Sequence, residues 1–336
     1  MRKSIVETLY VALTVLLLCS CSVAQEQNPK ASKNAVATDP IPVLIVDGQS
    51  GYHGDWPKIT LMMKTYLEET GKFKVDVYRS QFLMNGAREK EFPLNDGKKY
   101  VDSKKAKTDP DFKPQFSNYD VVLSNFGYNA ADWPQETQDA LVKFVNEGGG
   151  LVVVHAADNS FGGWSEFNEM IGIGGWGGRN EKSGPYVYIN KEGETVRDDS
   201  KGKGGGHGPQ HSYQIVIRDP EHPITKGLPR AWMHAKDELY QQLRGPANNM
   251  SILATAYASP KFRGTDRHEP MLMTIDYGKG RVYHTPMGHE DYSVECVGFI
   301  TTLIRGTEWA ATGTVTLTDI PDDFPGPNEP SSRKFE

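Results

Sequence analysis

Histidines that follow predicted strands are the residues of this sequence best placed to do chemistry. His155 directly follows the apolar run Leu151–Val154, and His53 and His289 stand after other strand-like segments. In an open α/β sheet, ligands bind in the crevice beyond the carboxyl ends of the strands. Convergent imidazoles with nearby carboxylates are what zinc or a similar divalent metal requires. The pattern predicts a site at one sheet edge; the alternative for His155 is a structural histidine that ends its strand and bonds a neighbouring carbonyl.

Two further histidines close a glycine-rich run, Gly206-His207-Gly-Pro-Gln-His211. Their spacing is that of two ligands on one turn of a helix, but the intervening Gly208 and Pro209 argue against a helix. No compact pair such as His-Glu-x-x-His occurs in the chain. A metal would therefore take its ligands from distant segments. Two alternatives stay open, a bound metal and an acid/base site without one.

Two segments place carboxylates beside a histidine. In His234-Ala-Lys-Asp237-Glu238, a carboxylate pair follows an imidazole, which suits a general acid or base whose pKa is set by its pocket. The alternative is the solvated face of a helix. In Gly288-His289-Glu290, the histidine precedes a predicted helix, where it can face a bound anion or a sugar hydroxyl.

Alternating strand and helix patterns predict the frame that positions these residues. Strands are predicted at 41–46, 73–78, 119–124 and 151–154, with helices at 57–70 and 135–147. Apolar runs without polar alternation are typical of strands covered on both faces. The order predicts an α/β fold: a doubly wound, mostly parallel sheet with helices on both faces. A β-hairpin closed by residues 278–280 is added to it.

Two segments stand outside this frame. Residues 81–117 are rich in charge and contain three prolines, which predicts a surface insertion. Residues 314–336 form a proline-rich tail. Residues 41–313 are expected to form the folded domain.

The chain begins with a segment typical of export. A basic start, Met1-Arg-Lys, precedes the apolar stretch Leu9–Leu18, which is short for a membrane span. Residues 1–20 resemble a bacterial lipoprotein signal peptide, with cleavage before Cys21 and lipid on its thiol. The alternative is an ordinary secretory signal cut near Ala24. Residues 21–40 predict a flexible tether. The protein is thus expected to be a periplasmic or outer-membrane lipoprotein, attached to a membrane through Cys21.

Composition limits the other partners of the chain. Its formal net charge is −6, and no dense Lys/Arg stripe with interleaved aromatics occurs, so nucleic acid is not expected as a partner. Cys296 is the only cysteine outside the predicted signal and lipid site, so no intrachain disulfide is expected. The oligomeric state cannot be read from these features.

Six motifs occur in order between residues 41 and 313. They are Tyr119-Asp-Val-Val-Leu, Phe144-Val-Asn-Glu-Gly-Gly-Gly-Leu-Val-Val-Val-His155, Asp219-Pro-Glu-His-Pro-Ile-Thr-Lys-Gly-Leu-Pro229, Asp237-Glu-Leu-Tyr240, Gly278-Lys-Gly-Arg-Val-Tyr-His-Thr-Pro-Met-Gly-His289 and Trp309-Ala-Ala311. This set resembles the ThuA-like (trehalose utilisation) family. That family is similar to the class I glutamine amidotransferases, so the resemblance implies a flavodoxin-like sheet.

One departure from the amidotransferases argues against their activity. In those enzymes, the strand after the paired glycines ends in a nucleophilic cysteine on a sharp turn. Here the matching position is His155, and Cys296 lies in a predicted apolar helix. Because thiolate attack on glutamine needs that cysteine, glutamine amidotransferase activity is not expected.

The resemblance implies sugar metabolism, with a glucoside or disaccharide, or its 3-keto form, as substrate. A ketone at C3 acidifies the hydrogen on C2, so a general base can remove it. The resulting enolate then expels the C1 substituent and splits the glycosidic bond. The alternatives are a hydrolase or isomerase that needs no keto intermediate, and a lipid-anchored carbohydrate-binding protein without turnover.

These roles are assigned to residues as hypotheses. The candidate catalytic residues are His155, Glu238, Asp237 and His289, with Glu238 or Asp237 as the base. The candidate sugar-binding residues are His53, Asp55, Asp158, Trp164, Tyr240 and Glu290. The candidate ligands of a divalent metal such as zinc are His155, His211 and His53.

Overall fold

The computed structural model describes residues 39–335. This part of the chain contains fourteen strands and five α-helices. The strands are β1 Ile41–Gln49, β2 Phe73–Met84, β3 Val101–Ser103, β4 Val121–Ser124, β5 Gly150–Val154, β6 Tyr186–Ile189, β7 Thr195–Asp198, β8 Gly206–His207, β9 His211–Ile217, β10 Ala231–Asp237, β11 Tyr240–Gln241, β12 Met250–Tyr257, β13 His268–Tyr277 and β14 Gly280–Thr285. The helices are α1 Trp56–Glu68, α2 Gln135–Asn146, α3 Ser165–Ile171, α4 Asp291–Val294 and α5 Val297–Thr312.

The predicted signal peptide, Cys21 and nearly all of the predicted tether lie outside the described residues. Within residues 39–335, none of the helices combines the length and the apolar character that a bilayer-spanning segment needs.

A twelve-stranded sheet forms the centre of the fold. Its main path runs in the order β10-β9-β12-β13-β14-β5-β4-β1-β2-β3, with β6 and β7 attached beside β13. The six strands from β14 to β3 are parallel to their neighbours. The strands from β13 to β10 alternate in direction. The predicted parallel centre is therefore confirmed, and the predicted hairpin, β13–β14, belongs to a larger antiparallel extension.

Helices cover both faces of the parallel strands. Along β1, Val43 and Ile45 point into one core while Leu44 and Val46 point into another, because successive side chains of a strand alternate between faces. Residues of α1 and α5 fill the first core, and residues of α2 and α3 fill the second. This is the doubly wound arrangement that the sequence predicts.

The predicted insertion at 81–117 is partly built into the sheet. β2 continues through its first residues to Met84, and β3 pairs beside this end. The buried Gln49 amide ties the segment down at two places, donating to the carbonyl oxygens of Phe82 at 3.0 Å and Lys107 at 2.7 Å. Its oxygen accepts from the backbone N–H of Ala131 at 2.9 Å. The insertion is thus fixed against β1.

The proline-rich tail lies along the domain. The backbone N–H of Val297 donates to the carbonyl oxygen of Ser331 at 2.9 Å, and that of Met233 donates to Gly326 at 2.8 Å. These bonds connect the tail to α5 and β10.

Four strands that contribute to the candidate site end at the same edge of the sheet. β1, β5 and β14 are parallel, and β10 has the same direction because three alternating strands separate it from β14. The residues that follow these four strands therefore meet at one edge.

Candidate functional site

Three imidazoles and one carboxylate converge where these four strands end. One ligand atom from each of His53, His155, Glu238 and His289 lies within 4.8 Å of the corresponding atoms of the other three. The Nε2 atom of His155 is 3.2 Å from Nδ1 of His289, and that atom is 3.4 Å from Oε2 of Glu238. His53, His155 and His289 are all buried. The cluster joins residues that are up to 236 positions apart in the chain, from 53 to 289.

Hydrogen bonds behind the cluster aim the imidazole lone pairs at its centre. The Nδ1–H group of His53 donates to the carbonyl oxygen of Gly51 at 2.7 Å, and that of His155 donates to Pro286 at 2.8 Å. The Nε2 atom of His289 is 3.3 Å from a carboxylate oxygen of Glu290. A ring nitrogen that donates outward leaves the other nitrogen as an acceptor. Carbonyls and carboxylates orient metal-binding histidines in this way.

His155 occupies a sharp turn at the end of β5. Its φ angle is +46°, in the left-handed region that histidine enters more readily than most residues do. A short 3-10 helix, His155–Asn159, begins at this point. The turn sends the ring back across the strand end, where the Tyr240 hydroxyl lies 2.9 Å from Nε2.

Asp237 connects the segment that carries Glu238 to the segment that carries His289. It is fully buried, and its oxygens accept from the backbone N–H groups of Glu238, Gly288 and His289 at 2.8, 2.8 and 3.1 Å. The Nε2–H group of His234 also donates to it, at 2.8 Å. With both oxygens engaged, Asp237 has no free acceptor to turn toward a substrate. Asp237 therefore positions its neighbours, and of this carboxylate pair only Glu238 lines the adjoining cavity.

Burial and charge set the protonation of the cluster. Burial, assisted by the charge of His289, lowers the pKa of His53 to about 4. Burial likewise lowers the pKa of His155 well below its usual value. Burial opposes charge on His289, but its contacts with Glu290 and Glu238 raise its pKa overall. Burial raises the pKa of Glu238. The cluster thus presents neutral imidazoles at His53 and His155, an imidazole at His289 that holds a proton more firmly, and a carboxyl group at Glu238 whose basicity is increased.

The donor set fits a divalent metal such as zinc. Ligands about 2.1 Å from a tetrahedral ion lie about 3.4 Å apart, and the Nε2 atom of His155 is 3.2 Å from the Nδ1 atom of His289. Two inward-facing lone pairs 3.2 Å apart repel each other unless a proton or a cation lies between them. Three histidines with an open fourth position are also a known ligand set for catalytic zinc.

Three of the four cluster residues line a cavity of about 470 Å³, within the usual range of ligand sites, whereas His155 does not line it. Glu238, His53 and His289 line it together with Tyr240 and His207. Its other walls are the side chains of Tyr52, Tyr128, Asn159 and Trp176. Flat aromatic walls with a few convergent polar groups suit a ligand that has both apolar faces and hydroxyls.

Several predicted site residues lie elsewhere. His211 is a correction: its ring stacks on Phe262 at 3.8 Å, and its Nδ1–H group donates to the carbonyl oxygen of Pro209, so it does not join the cluster. Asp158 is also a correction, since it is fully buried, 3.2 Å from His284, and does not line the cavity.

Trp164 is a third correction. It packs among aromatic side chains of the core, stacked on Phe167 at 5.4 Å, and does not reach the cavity. Asp55 pairs with Arg88 beside the cluster, and Glu290 contacts His289 from behind. The segment 234–238 is a buried strand end rather than a solvated helix face.

Other cavity residues were not predicted. Tyr52 and Tyr128 lie in loops that follow β1 and β4, so the strand-end rule that indicated His53 also applies to them. Asn159 follows the predicted Asp158 directly. Trp176 and His207 come from glycine-rich stretches far from any parallel strand end, and only the fold brings them to the cavity.

Comparison with known proteins agrees with this architecture. Residues 42–310 match the ThuA family, described as trehalose utilisation. The crystal structure of a ThuA-like protein from Parabacteroides merdae ATCC 43184 is 41% identical over 88% of this chain and 98% of that chain, with a TM-score of 0.77. A ThuA-like protein from Bacteroides uniformis ATCC 8492 shares the fold at 17% identity over 86% of this chain and 97% of that chain, with a TM-score of 0.50. A search of the curated proteins finds no match. On the family match and the 41% identity, this chain belongs to the ThuA-like, trehalose utilisation family.

Proposed function

We propose that this protein is a sugar-active enzyme that cleaves a 3-keto glucoside by acid/base elimination with the help of a divalent metal. The observation that carries the proposal is the convergence of three imidazoles with Glu238, of which His53, His289 and Glu238 line an aromatic-walled cavity. Family membership supports a carbohydrate substrate.

The imidazoles of His53, His155 and His289 would hold the metal. A bound divalent cation supplies Lewis-acid stabilisation of the oxygen that becomes negative when the C2 proton leaves. Three protein ligands and a position open to substrate are typical of catalytic zinc sites. The surrounding carbonyls and Glu290 keep the three rings oriented.

Glu238 is placed to take the proton from C2. Its carboxylate lines the cavity, and burial raises its pKa toward the range in which a base works well near neutral pH. The C2–H bond breaks, and its electron pair forms the enolate with the C3 ketone. The enolate then forms the C1–C2 double bond and expels the C1 oxygen.

The departing oxygen needs a proton. His207 lines the cavity, and its Nδ1 atom lies 3.5 Å from Oε1 of Glu238, so acid and base stand side by side. We assign His207 as the acid that protonates the leaving group. The products are the free C1 substituent and an unsaturated 3-keto sugar.

The test is turnover of a 3-keto disaccharide beside the ordinary disaccharide, followed by NMR in D₂O. We expect cleavage of the keto form alone, together with exchange of its C2 hydrogen. Glu238→Gln should lose both cleavage and exchange. Glu192→Gln is the matched control, because this exposed carboxylate belongs neither to the cluster nor to the lining of the cavity.

Two results would assign a different function. Equal cleavage of the ordinary disaccharide would identify a hydrolase that needs no keto intermediate. Tight binding of sugar with no change in either substrate over long incubation would identify a carbohydrate-binding protein.

Lipid attachment at Cys21 is a separate proposal, and mass spectrometry of the N-terminal peptide of the full chain tests it.

A further inference from the structure

A second cavity adjoins the first on the other side of Tyr52. Its volume is about 620 Å³, and Tyr52 lines both cavities. The far wall comes from the insertion, which contributes the polar side chains of Asn85, Asp102, Ser103 and Lys104. The mechanism proposed above uses none of these residues.

A pair of aromatic rings separates the two cavities. Tyr52 is 84% exposed and stacks on Tyr128, with ring centroids 5.7 Å apart and an angle of 29° between the planes. Tyr128 lines the first cavity, and the next residue, Asn129, lines the second. A ligand that enters both cavities must therefore lie across this exposed aromatic surface. Such a surface suits the apolar face of a sugar ring.

The second cavity is fixed relative to the catalytic cluster. The Asn85 side-chain oxygen is placed to accept from the backbone N–H groups of His53 at 3.3 Å and Gly54 at 3.1 Å. The backbone N–H of Gly86 donates to Asp102 at 3.2 Å. The loop that carries His53 is thus bonded to the turn that begins the insertion. A substrate that spans both cavities is therefore held in a defined position relative to the cluster.

We propose that the second cavity is the subsite for the second sugar ring of a disaccharide, the unit that leaves from C1. This inference rests on the proposed function, and it makes the insertion the segment that selects the leaving group. Hydroxyl, amide, carboxylate and ammonium groups at its wall provide both donors and acceptors for ring hydroxyls. The substrate class is then a two-ring glucoside rather than a simple alkyl glucoside.

Calorimetric titration with two sugars that lack the ketone measures binding without turnover. Methyl glucoside fills one ring position, and a disaccharide of two glucose units fills two. We expect the disaccharide to bind about tenfold more tightly, which corresponds to one or two additional net hydrogen bonds. Ser103→Ala/Lys104→Ala should abolish that difference and leave the affinity for methyl glucoside unchanged. Lys105→Ala is the matched control, since this neighbouring exposed lysine does not line the cavity.

Equal affinities for the two sugars in the parent protein would overturn the subsite, and so would a double variant that keeps the tenfold difference. The proposed function is judged separately, by exchange of the C2 hydrogen of a one-ring 3-keto methyl glucoside. Exchange without a disaccharide preference rejects the subsite alone. A disaccharide preference that disappears in the double variant, without exchange, supports the subsite and rejects the reaction.

Discussion

Replacing Asp237 by asparagine tests how the cluster is held together. The side chain is fully buried, and four N–H groups point at its two oxygens: those of the His234 ring and of the Glu238, Gly288 and His289 backbones. Burial alone would raise the pKa of Asp237, but the bond and charge of His234, together with the backbone donors, lower it. Burial alone would lower the pKa of His234, but the charge of Cys296 and the hydrogen bond and charge of Asp237 raise it to about 10. The pair is therefore ionised in the folded protein at neutral pH.

Asp237→Asn removes the counter-charge and leaves the His234 imidazolium buried without a partner. Breaking a buried ion pair from one side costs about 3–5 kcal/mol. The new amide group would also face N–H donors with an N–H₂ group of its own. Because 1 kcal/mol changes Tm by about 2–4 °C in domains of 150–250 residues, we expect Tm to fall by at least about 6 °C. The loss of a residue that orients ligands should also weaken zinc binding by about 10- to 100-fold.

Asp158→Asn is the matched control, because it concerns a second fully buried Asp–His pair. Asp158 contacts His284 at 3.2 Å, but its other oxygen has no hydrogen-bond partner. Burial accordingly raises the pKa of Asp158, in spite of His284. A carboxyl group that gains little from ionisation loses little on becoming an amide, so we expect a cost of about 1 kcal/mol. A Tm shift of less than about 2 °C for Asp237→Asn, or one smaller than that of the control, would refute the buried ion pair.

Three further predictions concern single residues. Burial raises the pKa of Glu269 from 4.5 to about 7, so its neutral form stabilises the fold below pH 4.5, and about 3 kcal/mol is lost as the pH rises through 7. Glu269→Gln should remove this loss. The difference between the unfolding free energies of variant and parent, measured by urea titration, should therefore change between pH 4.5 and 7 and level off above pH 7; a difference that is the same at all pH values would contradict the assignment. His155→Ala should abolish turnover while circular dichroism still shows a folded protein, and retained turnover would remove His155 from the mechanism. Elemental analysis of chelator-free protein should show that His289→Ala loses zinc whereas His211→Ala keeps it, and equal retention in both would exclude the cluster as the metal site.

The parallel half of the fold could be predicted from sequence because its signals are local. Apolar runs such as Leu151–Val154 have no polar alternation, and only a strand covered on both faces accommodates them. The antiparallel half was less predictable. Segments such as β9 and β12 alternate as strands do, but their neighbours lie far away in the chain, so neither the order nor the extent of the added strands can be read from the pattern.

The same contrast holds at the site. The strand-end rule indicated His53, His155 and His289, because all parallel strands present their carboxyl ends at one edge. It could not decide which imidazoles turn inward. His211 begins β9 opposite the end of β10, near the correct edge, yet its ring stacks on Phe262 and does not join the cluster. Trp176 reaches the cavity from a glycine-rich stretch whose conformation depends on tertiary contacts.

The position of β14 has a consequence for how the protein matures. This strand is the last in the chain, yet it lies between β5 and β13 near the middle of the sheet. His289 follows it, and its backbone is fixed by Asp237 of β10. A growing chain that has exposed β1 and β5 can therefore bring together only two of the three imidazoles. The three-histidine set closes after the final strand has entered the sheet, so a metal ion would be acquired late, by a chain that is already folded.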